Sequence, residues 1–224
     1  MKKLIFALIA TALLFALSAC GPDYTEEFNA AVDGFNADLD AYNDATDDYA
    51  DRVDDAESAD DVYAICDEWL ATDEEMLAST KAYLEEIKGY EEGISDTDAF
   101  ETTVENLEES VVNIQNDIDS IPDLKDFAKL TYEFSDLAAA WEEIVTAQSV
   151  AMTELTDMTA INAAIDEIIA TDNEYIAKMT DVKTQLEAID NEDIAGDIED
   201  VIDEIDISVD TMVALNEQLE ALKQ

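Results

Sequence analysis

"LATDEEMLA" at residues 70–78 and "IATDNEYIA" at residues 169–177 stand 99 positions apart with Ala-Thr-Asp at the centre of each. The likeness extends to residues 62–78 over 161–177, "VYAICDEWLATDEEMLA" over "INAAIDEIIATDNEYIA", where eight of 17 positions are identical. The same offset carries upstream, setting Phe28 over Phe127, Phe35 over Phe134 and Tyr42 over Trp141. Downstream it drifts to 101 or 102, pairing Val104 with Ile205, Val111 with Met212 and Ile118 with Leu219. The chain therefore reads as an internal duplication.

Each copy reads as three helices. In the first, Phe28, Val32, Phe35, Leu39, Tyr42, Thr46, Tyr49 and Val53 recur at alternating steps of four and three. Phe100, Val104, Leu107, Val111, Ile114, Ile118 and Ile121 repeat that spacing in the third. Such heptads predict helices packed as a left-handed bundle. With only five Gly and two Pro in 224 residues, the chain lacks the frequent turns an all-β fold needs. The expected breaks are "ESADD" at 57–61, with Ser58 capping and Asp61 completing a capping-box variant, and "GISDTD" at 93–98, with Gly93 stopping a helix and Ser95 or Asp96 capping the next. In "SIPD" at 120–123, Pro122 is expected to separate the copies. Further breaks are expected at "TDMTA", 156–160, and "DNED", 190–193. The expected fold is all-α: two tandem, duplicated, coiled-coil-like three-helix bundles, six long helices in all, over residues 25–121 and 122–224. In size and layout it is similar to spectrin-type three-helix repeats, without a shared sequence motif.

The N-terminus sets a different expectation. Lys2 and Lys3 precede an uncharged run of 14 residues from Leu4 to Leu17. That run suits a signal peptide and falls short of the ~20 residues of a spanning helix. It ends in Leu17-Ser18-Ala19-Cys20, which resembles the lipobox of bacterial lipoproteins. The resemblance implies a signal peptide over residues 1–19, cleavage before Cys20, diacylglyceryl attachment to its thiol and acylation of the new amino terminus. Residues 20–24 then form a lipidated tether. Two or three acyl chains anchor stably where one is marginal. It further implies an extracytoplasmic, lipid-anchored protein, and Gly21 resembles the sorting of such proteins to the outer membrane where the bacterium has one. After cleavage Cys66 is the remaining thiol, so no intramolecular disulfide can form. Its match to Ile165 assigns it a small buried apolar role.

The acidity is extreme: 58 Asp and Glu against 10 Lys and Arg, for a formal net charge of −48 at pH 7. That surface repels nucleic acid and anionic headgroups, and leaves basic or apolar protein surfaces and diffusely bound cations as partners. It also fits adaptation to a salty environment, where dense carboxylates keep a protein hydrated. The absence of His removes the commonest general base and metal ligand. No Gly-rich phosphate loop or EF-hand pattern occurs, and one usable Cys does not make a zinc site. No catalytic residue, cofactor or metal ligand is assigned.

One constellation remains. The second-helix seam of the first copy runs Val62, Cys66, Trp69, Asp73, Met76, Thr80, Tyr83 and Ile87; its counterpart runs Ile161, Ile165, Ile168, Asp172, Tyr175, Met179 and Val182. Each places an Asp where the pattern calls for an apolar group, and a buried carboxylate needs a partner. Hairpins turning near residues 57 and 156 set Asp73 level with Tyr42 and Asp172 level with Trp141. A phenol and an indole both donate hydrogen bonds, so a Tyr42–Asp73 and a Trp141–Asp172 contact are expected. Three readings stay open: a polar register pin, the floor of a pocket for a cation or small ligand, or carboxylates turned to solvent. The functional expectation is a structural or protein-interaction lipoprotein of the envelope. The alternative is an extracytoplasmic receptor with a site between the helices of each unit.

Overall fold

Five α-helices in an up-down arrangement account for most of the described residues in a computed structural model that describes residues 23–94 and 96–223. They are α1 (Thr25–Asp54), α2 (Ala59–Lys88), α3 (Thr97–Thr153), α4 (Met158–Leu186) and α5 (Ala195–Leu222), with one 3-10 turn at Glu91–Gly93. No strand occurs among the described residues, and no helix there is long and apolar enough to cross a membrane. The signal-peptide and Cys20 lipidation expectations, and the alternative cap Ser95, fall outside the described residues.

The starts of α2, α3 and α4 follow from capping chemistry. Ser58 is extended at the head of α2, where its hydroxyl accepts from the Asp61 N–H at 3.2 Å and donates to the Asp61 carboxylate at 2.6 Å. Asp157, at the same place 99 residues on, accepts from the Ala160 N–H at 3.1 Å and opens α4. Asp96 serves α3 likewise, taking the Ala99 N–H at 3.1 Å. One expected stop moves: α2 ends at Gly89 rather than Gly93. The Gly89 N–H reaches the carbonyls of Glu86 at 3.0 Å and Glu85 at 3.3 Å, which tightens the last turn.

Six helices become five because Pro122 does not break the chain. It lies inside α3, a single helix of 57 residues. Proline removes one backbone donor and crowds the carbonyl four residues back. Here the ring is on the exposed side, while Ile114, Ile121, Leu124 and Phe127 keep an unbroken buried seam past it. The Ser120 hydroxyl donates to the Asp117 carbonyl at 2.8 Å just ahead of the proline, while the carbonyl that loses its ladder donor is that of Ile118, four residues back. Seam burial on both sides outweighs the local defect.

The chain divides into two compact units, Met1–Pro122 and Asp123–Gln224, each receiving part of α3. In the first, Phe28, Phe35, Leu39 and Tyr42 of α1, Met76, Leu77 and Ile87 of α2, and Phe100, Leu107 and Ile114 of α3 form one core. Phe28 meets Phe100 with ring centroids 6.2 Å apart, and Phe35 meets the Tyr83 edge at 5.9 Å. Cys66 is fully buried. In the second unit Ile165, Ile168 and Leu219 pack together, with Met152, Ile161 and Leu215 against them.

Candidate functional site

The seams of α2 and α4 are largely apolar, and an ionisable side chain interrupts each of them once, at Asp73 and at Asp172; the other buried polar residue there, Thr80, donates to the Met76 carbonyl of its own helix at 2.8 Å. Burial there leaves each carboxylate with little but its neighbours across the helix hairpin. Asp73 and Asp172 have no exposed surface at all.

In the first unit the Tyr42 hydroxyl of α1 donates to Asp73 Oδ1 at 2.9 Å. The same hydroxyl lies 3.4 Å from Oδ2 of Asp117 on α3, itself buried. One phenol thus faces two carboxyl groups from two other helices. Asp73 Oδ2 has no hydrogen-bond partner, and the buried Trp69 Nε1, one turn earlier on α2, has none of good geometry either. The indole is nonetheless near enough to favour the ionised carboxylate. Burial dominates and pushes the Asp73 carboxyl up to about 7; the Tyr42 hydrogen bond opposes this, Asp117 adds to it by repulsion, and Trp69 opposes it. Burial, then the Asp73 and Asp117 carboxylates, push the Tyr42 phenol far above its ordinary value, so it stays a donor.

The second unit repeats half of this arrangement. Trp141 Nε1 donates to Asp172 Oδ1 at 2.7 Å, and Asp172 Oδ2 is again buried without a partner. Burial raises the Asp172 carboxyl and the Trp141 hydrogen bond opposes it. No second carboxylate acts on it.

A second pair of hydrogen bonds recurs at the same offset. Tyr49 and Thr72 join their hydroxyls at 2.9 Å, and the Gln148 side-chain amide donates to the Thr171 hydroxyl at 3.2 Å. Each threonine also donates to the carbonyl one turn back, that of Glu68 at 3.2 Å and of Glu167 at 3.0 Å. The repeated Ala-Thr-Asp words therefore supply two neighbouring cross-helix contacts, one from the Thr and one from the Asp.

The structure brings together all four seam residues singled out in the sequence, Tyr42 with Asp73 and Trp141 with Asp172. Sequence reasoning missed Asp117. Strict alternation of steps of three and four from Leu107 through Ile114 to Ile121 passes through Ser110 and Asp117, and both are buried. The neighbouring Val111 and Ile118 are only half-buried; their apolar character masked the polar positions beside them. Among the described residues no group of three or more His, Cys, Asp or Glu side chains is disposed to hold a metal ion.

Compared with protein-family models, curated proteins and solved structures, the chain matches none of them.

Proposed function

We propose that the protein is a lipid-anchored, extracytoplasmic lipoprotein of the bacterial envelope with a structural or protein-interaction role, built from two duplicated three-helix units. The complete burial of Asp73 and Asp172 carries the choice of role, because a carboxylate closed off by its own helices is not the floor of an open pocket. The location rests on Leu17-Ser18-Ala19-Cys20 behind a short apolar run. Duplication is supported by the caps at Ser58 and Asp157 and by the paired Thr and Asp contacts, all at one offset. Partners of this protein would offer a basic or apolar surface to its acidic one. The receptor reading draws on the two unpartnered Oδ2 atoms, which a bound cation would satisfy.

Two measurements separate these. Cells producing the full chain should hold it in the membrane fraction, with acyl mass on the peptide beginning at Cys20, and Cys20→Ser should abolish that mass. An unmodified Cys20 in a released protein overturns the anchor. At fixed high NaCl, millimolar calcium or magnesium should leave the melting temperature unchanged. Saturable stabilisation that Asp73→Asn removes would install the receptor reading instead.

A further inference from the structure

We propose that the first unit carries a proton-operated clasp: Asp73 and Asp117 hold one carboxyl proton between them, beside the Tyr42 hydroxyl that keeps its own, and loss of that carboxyl proton loosens the packing of α1, α2 and α3. This goes beyond the envelope role and does not depend on it.

Counting protons at the centre leads there. The Tyr42 hydroxyl has one proton, yet it lies within reach of two carboxyl oxygens, Asp73 Oδ1 at 2.9 Å and Asp117 Oδ2 at 3.4 Å. It can donate to one of them at a time. With both carboxyls ionised, two negative charges would share a buried space around the one Tyr42 proton, and Asp117 pushes the Asp73 carboxyl up by repulsion. Like charges so placed cannot both ionise freely, and the proton they retain belongs to the pair rather than to either residue. The groups facing Asp73 are Tyr42 from α1, Asp117 from α3 and Trp69 from α2 itself, and the charge that acts on it is that of Asp117, also acidic. The unpartnered, fully buried Asp73 Oδ2 is a further sign that the centre is complete only when neutralised. Burial and Asp117 together place the Asp73 transition near 7, within reach of ordinary changes in pH.

The sign follows from proton linkage. A carboxyl whose folded-state value is raised holds its proton better when folded than when open. Its stabilisation is complete below the unfolded value of about 4 and declines as pH rises to about 7. Opening of the first unit should therefore become about tenfold more frequent per pH unit across that window, then level off. The second unit is an internal reference, since Asp172 meets an indole N–H and no second carboxylate acts on it.

Amide hydrogen exchange of the full chain in detergent tests this, read by mass spectrometry in peptides of each unit. Rates are corrected for intrinsic pH dependence and taken at high NaCl to screen the surface charges. Protection around Asp73 should fall with pH more steeply than around Asp172. Asp117→Asn removes the repulsion, so the decline should end at lower pH. Tyr42→Phe removes the donor, so it should extend to higher pH. Opposite displacements by two variants of one centre are not what a general loss of packing produces. Equal slopes in both units, no displacement, or displacement of both variants in one direction overturns the proposal.

Discussion

Trp141 and Asp172 show what a single hydrogen bond does when its acceptor has no other partner. Asp172 is wholly buried, its Oδ2 has no hydrogen-bond partner, and its Oδ1 accepts a 2.7 Å bond from the Trp141 indole across the helix hairpin. Trp141→Phe retains an aromatic ring and deletes the donor, so it should destabilise the protein by about 1–3 kcal/mol near neutral pH. Removing the donor raises the Asp172 carboxyl further, so the folded protein then holds that proton more tightly than the unfolded chain. The defect should accordingly shrink in acid and grow as pH rises. Urea unfolding of both proteins at mildly acidic and mildly alkaline pH measures this directly, and an equal loss at both would contradict it. The match of Tyr42 with Trp141 explains the choice of residues: both carry a donor at the far end of an aromatic ring, long enough to cross from one helix to the next.

At the scale of the helix, the capped starts were legible and two endings were not: α2 stops at Gly89 rather than Gly93, and α3 runs on through Pro122. Ser58 and Asp157 announce α2 and α4 because a cap is a local event, settled within four residues. Replacing either by Ala should lower stability by about 1 kcal/mol, measurable by thermal or denaturant unfolding. Pro122 was misread because its local effect competes with burial set at a distance. Ile114, Ile121, Leu124 and Phe127 hold α3 together through the ring, and nothing next to Pro122 in the chain reveals how deeply they are buried. Since Pro is about 3 kcal/mol worse than Ala inside a helix, Pro122→Ala should stabilise by about 1–3 kcal/mol. Were residues 120–123 a true break, the substitution would be neutral or harmful. Asp117 was hidden for a related reason: Ile118 beside it satisfies the hydrophobic pattern almost as well, and only packing decides which of two adjacent residues faces the core. By contrast, the Asp73 and Asp172 partners were readable from the sequence, because a hairpin with a known turn fixes which residues lie level.

For the whole molecule, charge governs solution behaviour while the seams govern shape. With 58 acidic residues against 10 basic ones, most carboxylates have no cation to pair with. The pairs that form, such as Arg52–Glu68 at 2.8 Å and Lys183–Asp206 at 2.6 Å, lie at the surface, where each contributes little. Melting temperature should therefore climb with NaCl and flatten toward about 1 M, where the screening length has shrunk to about 3 Å. A protein indifferent to salt would show that its carboxylates are spaced too widely to repel. The buried Cys66 adds a property of a different kind. Its thiol has no exposure, so an added thiol reagent can reach it only in the moments when the first unit opens. Under excess reagent the labelling rate approaches the opening rate itself, and below that it reports how often the open form is present. The residue that looks most inert in the folded chain is thus a built-in clock for its breathing.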